Sequence, residues 1–160
     1  MDKAAHLDIR PVRLEDHAAL LALSPRLTIG VAPWRDRDRV ARAVRGWIES
    51  SLGSAGEEGH AVLVAVLDGR VAGLVSVSAR EHFSGEVDAY VGELVTDEAV
   101  EGRGVGQALM AAAEEWAAER GLARITLDTG IRNDRARRFY AAFGFEEEDI
   151  RLSKRVQPGT

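Results

Sequence analysis

Residues 94–109 read Leu-Val-Thr-Asp-Glu-Ala-Val-Glu-Gly-Arg-Gly-Val-Gly-Gln-Ala-Leu. A strand-like run, Glu86 to Thr96, enters a turn with glycine at every second position: Gly102, Gly104 and Gly106. A helical pattern follows to Arg120, with Val105, Leu109, Ala112 and Trp116 on one stripe and Gly121 as its stop. Such a turn points successive backbone N–H groups at one spot, and the helix N-terminus adds unpaired donors and positive dipole character. The segment therefore predicts an anion site of phosphate or pyrophosphate size. A nucleoside-triphosphate loop needs Gly-Lys-Ser/Thr, which the chain lacks. A dinucleotide fingerprint needs a third small residue where Gln107 or Leu109 stands, so its spacing fails from either Gly102 or Gly104.

The elements before and after this segment predict an α+β fold. Leu7 to Arg13 reads as a first strand, with Pro11 marking an edge or strand end. Glu15 and Asp16 open a short helix to about Leu23, and Asp36 caps a longer one to about Leu52. That second helix carries Val40, Val44, Trp47, Ile48 and Leu52 at helical spacing, which places Trp47 in the core. His60 to Leu67 and Arg70 to Ser78 flank Asp68-Gly69, a strong two-residue hairpin signal. With Glu86 to Thr96 they form an antiparallel meander. After the glycine turn and its helix come a short strand, Ala123 to Asp128, and a helix capped by Asn133 or Asp134 that runs to Phe143. Phe145 and residues 149–156 read as terminal strand pieces. The whole, residues 1–160, is expected to be one domain.

Composition narrows the function classes. The chain has 160 residues, a net charge of -5 and no cysteine. Absence of cysteine excludes a disulfide framework, thiolate zinc, Fe–S clusters and a cysteine nucleophile. The acidic balance argues against nucleic-acid binding. No membrane-spanning run and no secretory signal are legible, so a cytoplasmic protein is expected. The four histidines show no ligand spacing and no metal is expected.

Residues 101–106, EGRGVG, resemble the acyl-CoA turn [QR]-x-x-G-x-[GA] of the GNAT N-acetyltransferases. Downstream, Asn133, Ala136, Tyr140, Gly144 and Phe145 match that family's Asn-x-x-Ala-x-x-x-Tyr-x-x-x-Gly-Phe segment. The resemblance is strong over about residues 88–155 and rests on element order over 7–87. It implies a three-layer acyltransferase fold, with a mixed, mostly antiparallel central sheet flanked by helices. The implied activity is direct attack of a primary amine on the thioester of acetyl-CoA. Homodimers are common in the family, and the acceptor is a small-molecule or protein amine.

Carried over residue by residue, the backbone of Leu94, Val95 and Thr96 would pair with the pantetheine amides. The amides of Arg103, Gly104, Val105, Gly106, Gln107 and Ala108 would hold the pyrophosphate, and Asn133 would bond the pantetheine arm or nearby backbone. Tyr140 would protonate the leaving thiolate. Glu93 would be the base, directly or through water, with Asp88 and Glu86 next. Strand alternation sets Glu93 with Val91, and Asp88, Tyr90, Gly92 and Leu94 on the other face, unless a bulge intervenes.

One departure stands out: Glu101 occupies the usual Gln/Arg position. Its carboxylate is expected to point outward; inward, it would repel a pyrophosphate. Each role has a plainer counterpart: Tyr140 as a packing residue, Glu93 as a solvated strand residue, Asn133 as a helix cap and Asp128 as a turn residue. The arginines between Arg35 and Arg45, and Arg135, Arg137 and Arg138, read as solvated faces. The rival function is a non-catalytic acyl-CoA-binding regulatory domain; a nucleotide-binding fold is the third.

Overall fold

The computed structural model describes residues 5–159. Five strands lie in the order β1 (Leu7–Pro11), β2 (His60–Leu67), β3 (Arg70–Glu81), β4 (Val87–Thr96) and β5 (Ile125–Leu127). The first four pair antiparallel, and β5 joins β4 in parallel. The β2–β3 connection is the Asp68-Gly69 turn, both residues at positive φ (50° and 80°), whose twist suits a hairpin. Helices α1 (His17–Leu21), α2 (Arg37–Gly53), α3 (Val105–Glu119) and α4 (Asp134–Ala142) complete the fold.

Helices cover both faces of the sheet. Leu20 of α1 and Ile48 and Leu52 of α2 pack on Val62, Val64, Leu74 and Val95. Val105, Leu109, Met110 and Ala113 of α3 pack on Ala65, Leu67, Ala72, Val75 and Val91, with Phe139, Phe143 and Phe145 against them. Adjacent residues such as Val64 and Ala65, or Leu74 and Val75, thus serve opposite faces, as the period of two requires.

Val91 and Val95 break that rule: four residues apart, they serve opposite faces. Between them β4 bulges. Val75 is opposite Leu94 and Val77 opposite Val91, so Ser76 alone faces both Gly92 and Glu93. The bulge turns Glu93 onto the α2 face, which Tyr90 and Gly92 share, so simple alternation does not hold here.

Four expectations are corrected. The first strand ends at Pro11 rather than Arg13. The first helix is a 3₁₀ turn, Leu14–Asp16, followed by the short α1, because the Asp16 carboxylate is taken by Arg10 and the Arg13 amide. Trp47 is 51% exposed: the stripe Val44, Ile48 and Leu52 faces the sheet and Trp47 lies at its rim. Residues 145–159 contain no strand; Ile150, Leu152 and Val156 are exposed, with no sheet face on which their alternation can be buried.

Candidate active site

The last β4–β5 pair is Val91 with Leu127. Beyond it β5 ends, while Leu94, Val95 and Thr96 continue to pair with Val75, Leu74 and Gly73 of β3, respectively. Among the described residues no strand pairs with their other edge, so the sheet forks and leaves an open row of backbone groups. The Tyr90 hydroxyl donates to Asp128 Oδ2 at 2.8 Å and closes the apex of this fork. Burial and the Asp128 carboxylate push the Tyr90 phenol up to about 12.

The glycine turn sits at the open end. Gly102 and Gly104 adopt φ of 75° and 77°, a left-handed conformation that L side chains resist; Gly104 caps α3. Arg103 N–H donates to Val100 O and Ala108 N–H to Gly104 O. The amides of Gly104, Val105, Gly106 and Gln107 meet no backbone acceptor among the described residues. Four donors of the six expected are therefore free at a helix N-terminus. A Cβ on Gly106 would make only ordinary contact, 3.5 Å from the Phe139 ring. The Arg103 guanidinium lies 3.6 Å from Asp68.

Glu101 does not face these amides. Its carboxylate pairs with Arg26, from the 3₁₀ turn Ser24–Thr28, and with Arg135 of α4 at 2.8 Å. The Arg135 and Arg26 hydrogen bonds hold its pKa below the usual carboxylate value. The departure from the Gln/Arg position is thus matched by two arginines that bring positive charge to the turn.

Asn133 caps α4: its Oδ1 accepts from Ala136 N at 3.1 Å, and its Nδ2 donates to Ile29 O at 3.4 Å. One amide hydrogen remains unassigned. The latter bond belongs to a close approach of two loops, where a Cβ on Gly130 would collide with the Gly30 carbonyl. The capping reading is thus met without excluding a ligand contact.

Tyr140 lies on α4 with its ring edge-on to Phe139 (5.3 Å) and Phe145 (5.5 Å). Its hydroxyl makes no hydrogen bond among the described residues. Burial pushes its phenol up to about 12, so it holds its proton at neutral pH.

Glu93, at 6% exposure, is no solvated strand residue. Its Oε2 accepts from Ser51 Oγ of α2 at 2.7 Å and from Ser76 Oγ of β3, and its own N–H donates to Ser76 Oγ at 2.9 Å. Burial raises its pKa, opposed by the two hydroxyls. Above it opens a cleft of about 250 Å³ lined by Ser51, Ser76, Ser78, Arg80, Tyr90 and Gly92 among others. A buried carboxylate whose pKa is raised by burial, beside such a cleft, is a candidate proton acceptor.

Ser51, Ser76 and Arg26 escaped the sequence reading, which also placed Tyr90 on its strand and Asp128 in its turn without foreseeing the bond between them. Only Gly92 inside a strand gave a local signal, for the bulge that orients Glu93.

The forked sheet, the glycine turn and this cleft define an acyltransferase-type architecture. Residues 20–145 match the family model for the acetyltransferase (GNAT) family. The chain belongs to the GNAT acetyltransferase family. It is 31% identical over 144 residues to aminoglycoside N(6')-acetyltransferase type 1 of Klebsiella aerogenes, covering 87% of this chain and 89% of that protein. The fold superposes on a GCN5-related N-acetyltransferase from Ralstonia eutropha with a TM-score of 0.72 at 22% identity, covering 94% of this chain and 99% of the other. It also superposes on AAC(6')-Iy in complex with a CoA-linked bisubstrate analogue, with a TM-score of 0.67 at 20% identity and coverage of 96% and 99%. Among the described residues no helix is long and apolar enough to cross a membrane.

Proposed function

We infer that the chain moves an acetyl group from acetyl-CoA to a primary amine of a small molecule by direct attack on the thioester. The observation that carries this reading is the set of four unbonded amides at residues 104–107, placed beside the open edge of Leu94 to Thr96. Backbone donors at a helix N-terminus fit a pyrophosphate, and a bare strand edge fits a chain of amides. The aminoglycoside acetyltransferase relative supports a small-molecule amine as acceptor.

When bound, acetyl-CoA supplies an electrophilic thioester carbonyl and a thiolate leaving group. The amides of Gly104, Val105, Gly106 and Gln107 hold its phosphates, with Arg26 and Arg135 adding cationic charge nearby. The backbone of Leu94, Val95 and Thr96 orients the arm, and Asn133 retains one N–H for it. Glu93 accepts the proton that the amine must lose. Tyr140, protonated far above pH 7, donates to the thiolate as it leaves. The absence of cysteine leaves no thiol to carry the acetyl group, which favours direct transfer.

Isothermal calorimetry of the purified chain with acetyl-CoA, using ATP and NAD as controls, tests this reading. Micromolar or tighter binding selective for acetyl-CoA is expected, followed by thiol release with an amine panel. Binding without turnover on any amine would favour the regulatory-domain alternative. No binding by a folded sample would refute the acyl-CoA reading.

A further inference from the structure

The β4–β5 ladder consists of Ala89 with Ile125, Tyr90 with Thr126 and Val91 with Leu127. Gly92 and Asp128 stand at the first level where the two chains no longer pair. Gly92 brings no side chain to that level, and a Cβ there would press on Ser76 Oγ at 2.9 Å. The group that crosses is the Tyr90 phenol. It reaches forward from one level behind the last pair and donates to Asp128 Oδ2 at 2.8 Å. Paired residues point to one face and so do residues two apart, so Tyr90, Thr126 and Asp128 share the α2 face. Among the described residues this is the one side-chain hydrogen bond between β4 and residues 123–133.

Both ends of this bond are held. The Arg80 guanidinium of β3 stacks 4.4 Å over the Tyr90 ring. The phenol, pushed up to about 12, stays a donor at neutral pH. The chain that Asp128 begins is anchored again further on. Asn133 Nδ2 donates to Ile29 O at 3.4 Å, and Gly130 lies against the Gly30 carbonyl with no room for a Cβ. Because β5 runs parallel to β4, residues 128–133 leave the ladder on the side of Leu94, Val95 and Thr96 and form the far wall of the fork. That wall has a near anchor at Asp128 and a far one at Gly130 and Asn133. Without the near anchor it is free to pivot on the far one.

We propose that Tyr90 and Asp128 are positioning residues for acetyl transfer, their bond a strut that sets the opening of the fork before the arm of acetyl-CoA enters it. This rests on the acetyl-transfer reading above. An arm that starts from the glycine turn lies along the edge from Thr96 toward Leu94, so its acyl end points at the apex the strut spans. A fork fixed in advance spares the ligand the cost of ordering the wall, and it holds the thioester in one place relative to Glu93.

The test compares acetyl-CoA with 3′-phospho-ADP, which carries the pyrophosphate but no arm. Tyr90→Phe keeps the stacked ring, and Asp128→Ala trims an exposed side chain, so both variants should keep the wild-type Tm within a few degrees. By calorimetry each is expected to weaken acetyl-CoA about five- to tenfold and to leave 3′-phospho-ADP within about twofold. The double variant should bind no more weakly than either single one, because both remove the same bond. Asp128→Asn, whose carbonyl oxygen still accepts from the phenol, should restore wild-type affinity. With an amine that the wild-type protein acetylates, kcat should fall about tenfold in both single variants, since a misplacement of about 1 Å costs up to about 10²-fold. Asp128 does not line the cleft beside Glu93, so a loss shared with Tyr90→Phe is not a lost contact to the amine. Equal losses for the two ligands would assign the bond to general stability and overturn the proposal. Unchanged affinity and kcat, or losses that add in the double variant, would overturn it too. Failure of the wild-type protein to bind acetyl-CoA would instead overturn the acetyl-transfer reading, and this proposal with it.

Discussion

Replacing Tyr140 with phenylalanine separates a chemical role from a packing role with three readouts. The ring packs edge-on against Phe139 and Phe145, and phenylalanine keeps those contacts. The hydroxyl makes no hydrogen bond among the described residues, so its removal leaves no partner unsatisfied. Stability should change by no more than about 1 kcal/mol, a Tm shift of roughly 2–4 °C for a chain of this size. Affinity for acetyl-CoA by calorimetry should be unchanged. Loss of a general acid costs about 10²–10⁴ in rate, roughly 2.7–5.4 kcal/mol of barrier. Stopped-flow thiol release with a saturating amine should therefore show kcat down at least about a hundredfold. With a phenol pKa of about 12, the wild-type enzyme should show no alkaline limb from Tyr140 at pH 9–10. Unchanged kcat would refute the acid role, and a large drop in Tm with a parallel loss of binding would assign Tyr140 to packing.

The buried carboxylate should behave in the opposite sense to a stabilising residue. Because burial raises the Glu93 pKa, its ionisation disfavours the folded state as pH rises from the ordinary carboxylate value through the raised one. Glu93→Gln should abolish most turnover while leaving Tm at pH 7 equal or higher, and should flatten stability against pH in that window; a marked loss of Tm would contradict it. Asp16 has the reverse sign. The Arg10 hydrogen bonds, at 2.7 and 2.9 Å, hold its pKa down, so its stabilisation is present above the ordinary carboxylate value and lost as pH falls through the lowered one. Asp16→Asn should cost about 2 kcal/mol in urea unfolding at pH 7, and that cost should shrink as pH falls below the ordinary carboxylate value; a cost that stays constant on acidification would refute the ion pair. Glu101→Gln frees Arg26 and Arg135 beside the turn and should tighten acetyl-CoA binding several-fold at low ionic strength, with the gain fading near 1 M salt. Weaker binding would mean that Glu101 must hold the arginines in place.

The meander and the glycine turn were legible because their signals are local. Asp68-Gly69 between two valine-rich runs admits little but a hairpin, and alternate glycines before an apolar stripe admit little but a strand-to-helix turn. The site was legible only in part. Glu93 and Tyr140 were named, but the burial of Glu93 depends on Ser51, 42 residues away on another element, and on a bulge that flips its face. No periodicity carries such information. Trp47 was misplaced because helical spacing gives an apolar arc without saying which edge of it meets the sheet. The alternation of Ile150, Leu152 and Val156 has strand form, but pattern alone cannot supply a face to bury against.

The fork between β4 and β5 also bears on the chain before it meets any ligand. A row of bare amides and carbonyls at a sheet edge is a template for strands of other chains, and proteins usually blunt such edges with charge, proline or a cover. Here Leu94, Val95 and Thr96 offer none of these on their own strand. A ligand lying along the edge removes the template and, at a hundredfold excess over its Kd, adds about 2.7 kcal/mol to stability. Ligand-free protein should therefore be the form most prone to self-association and to proteolysis.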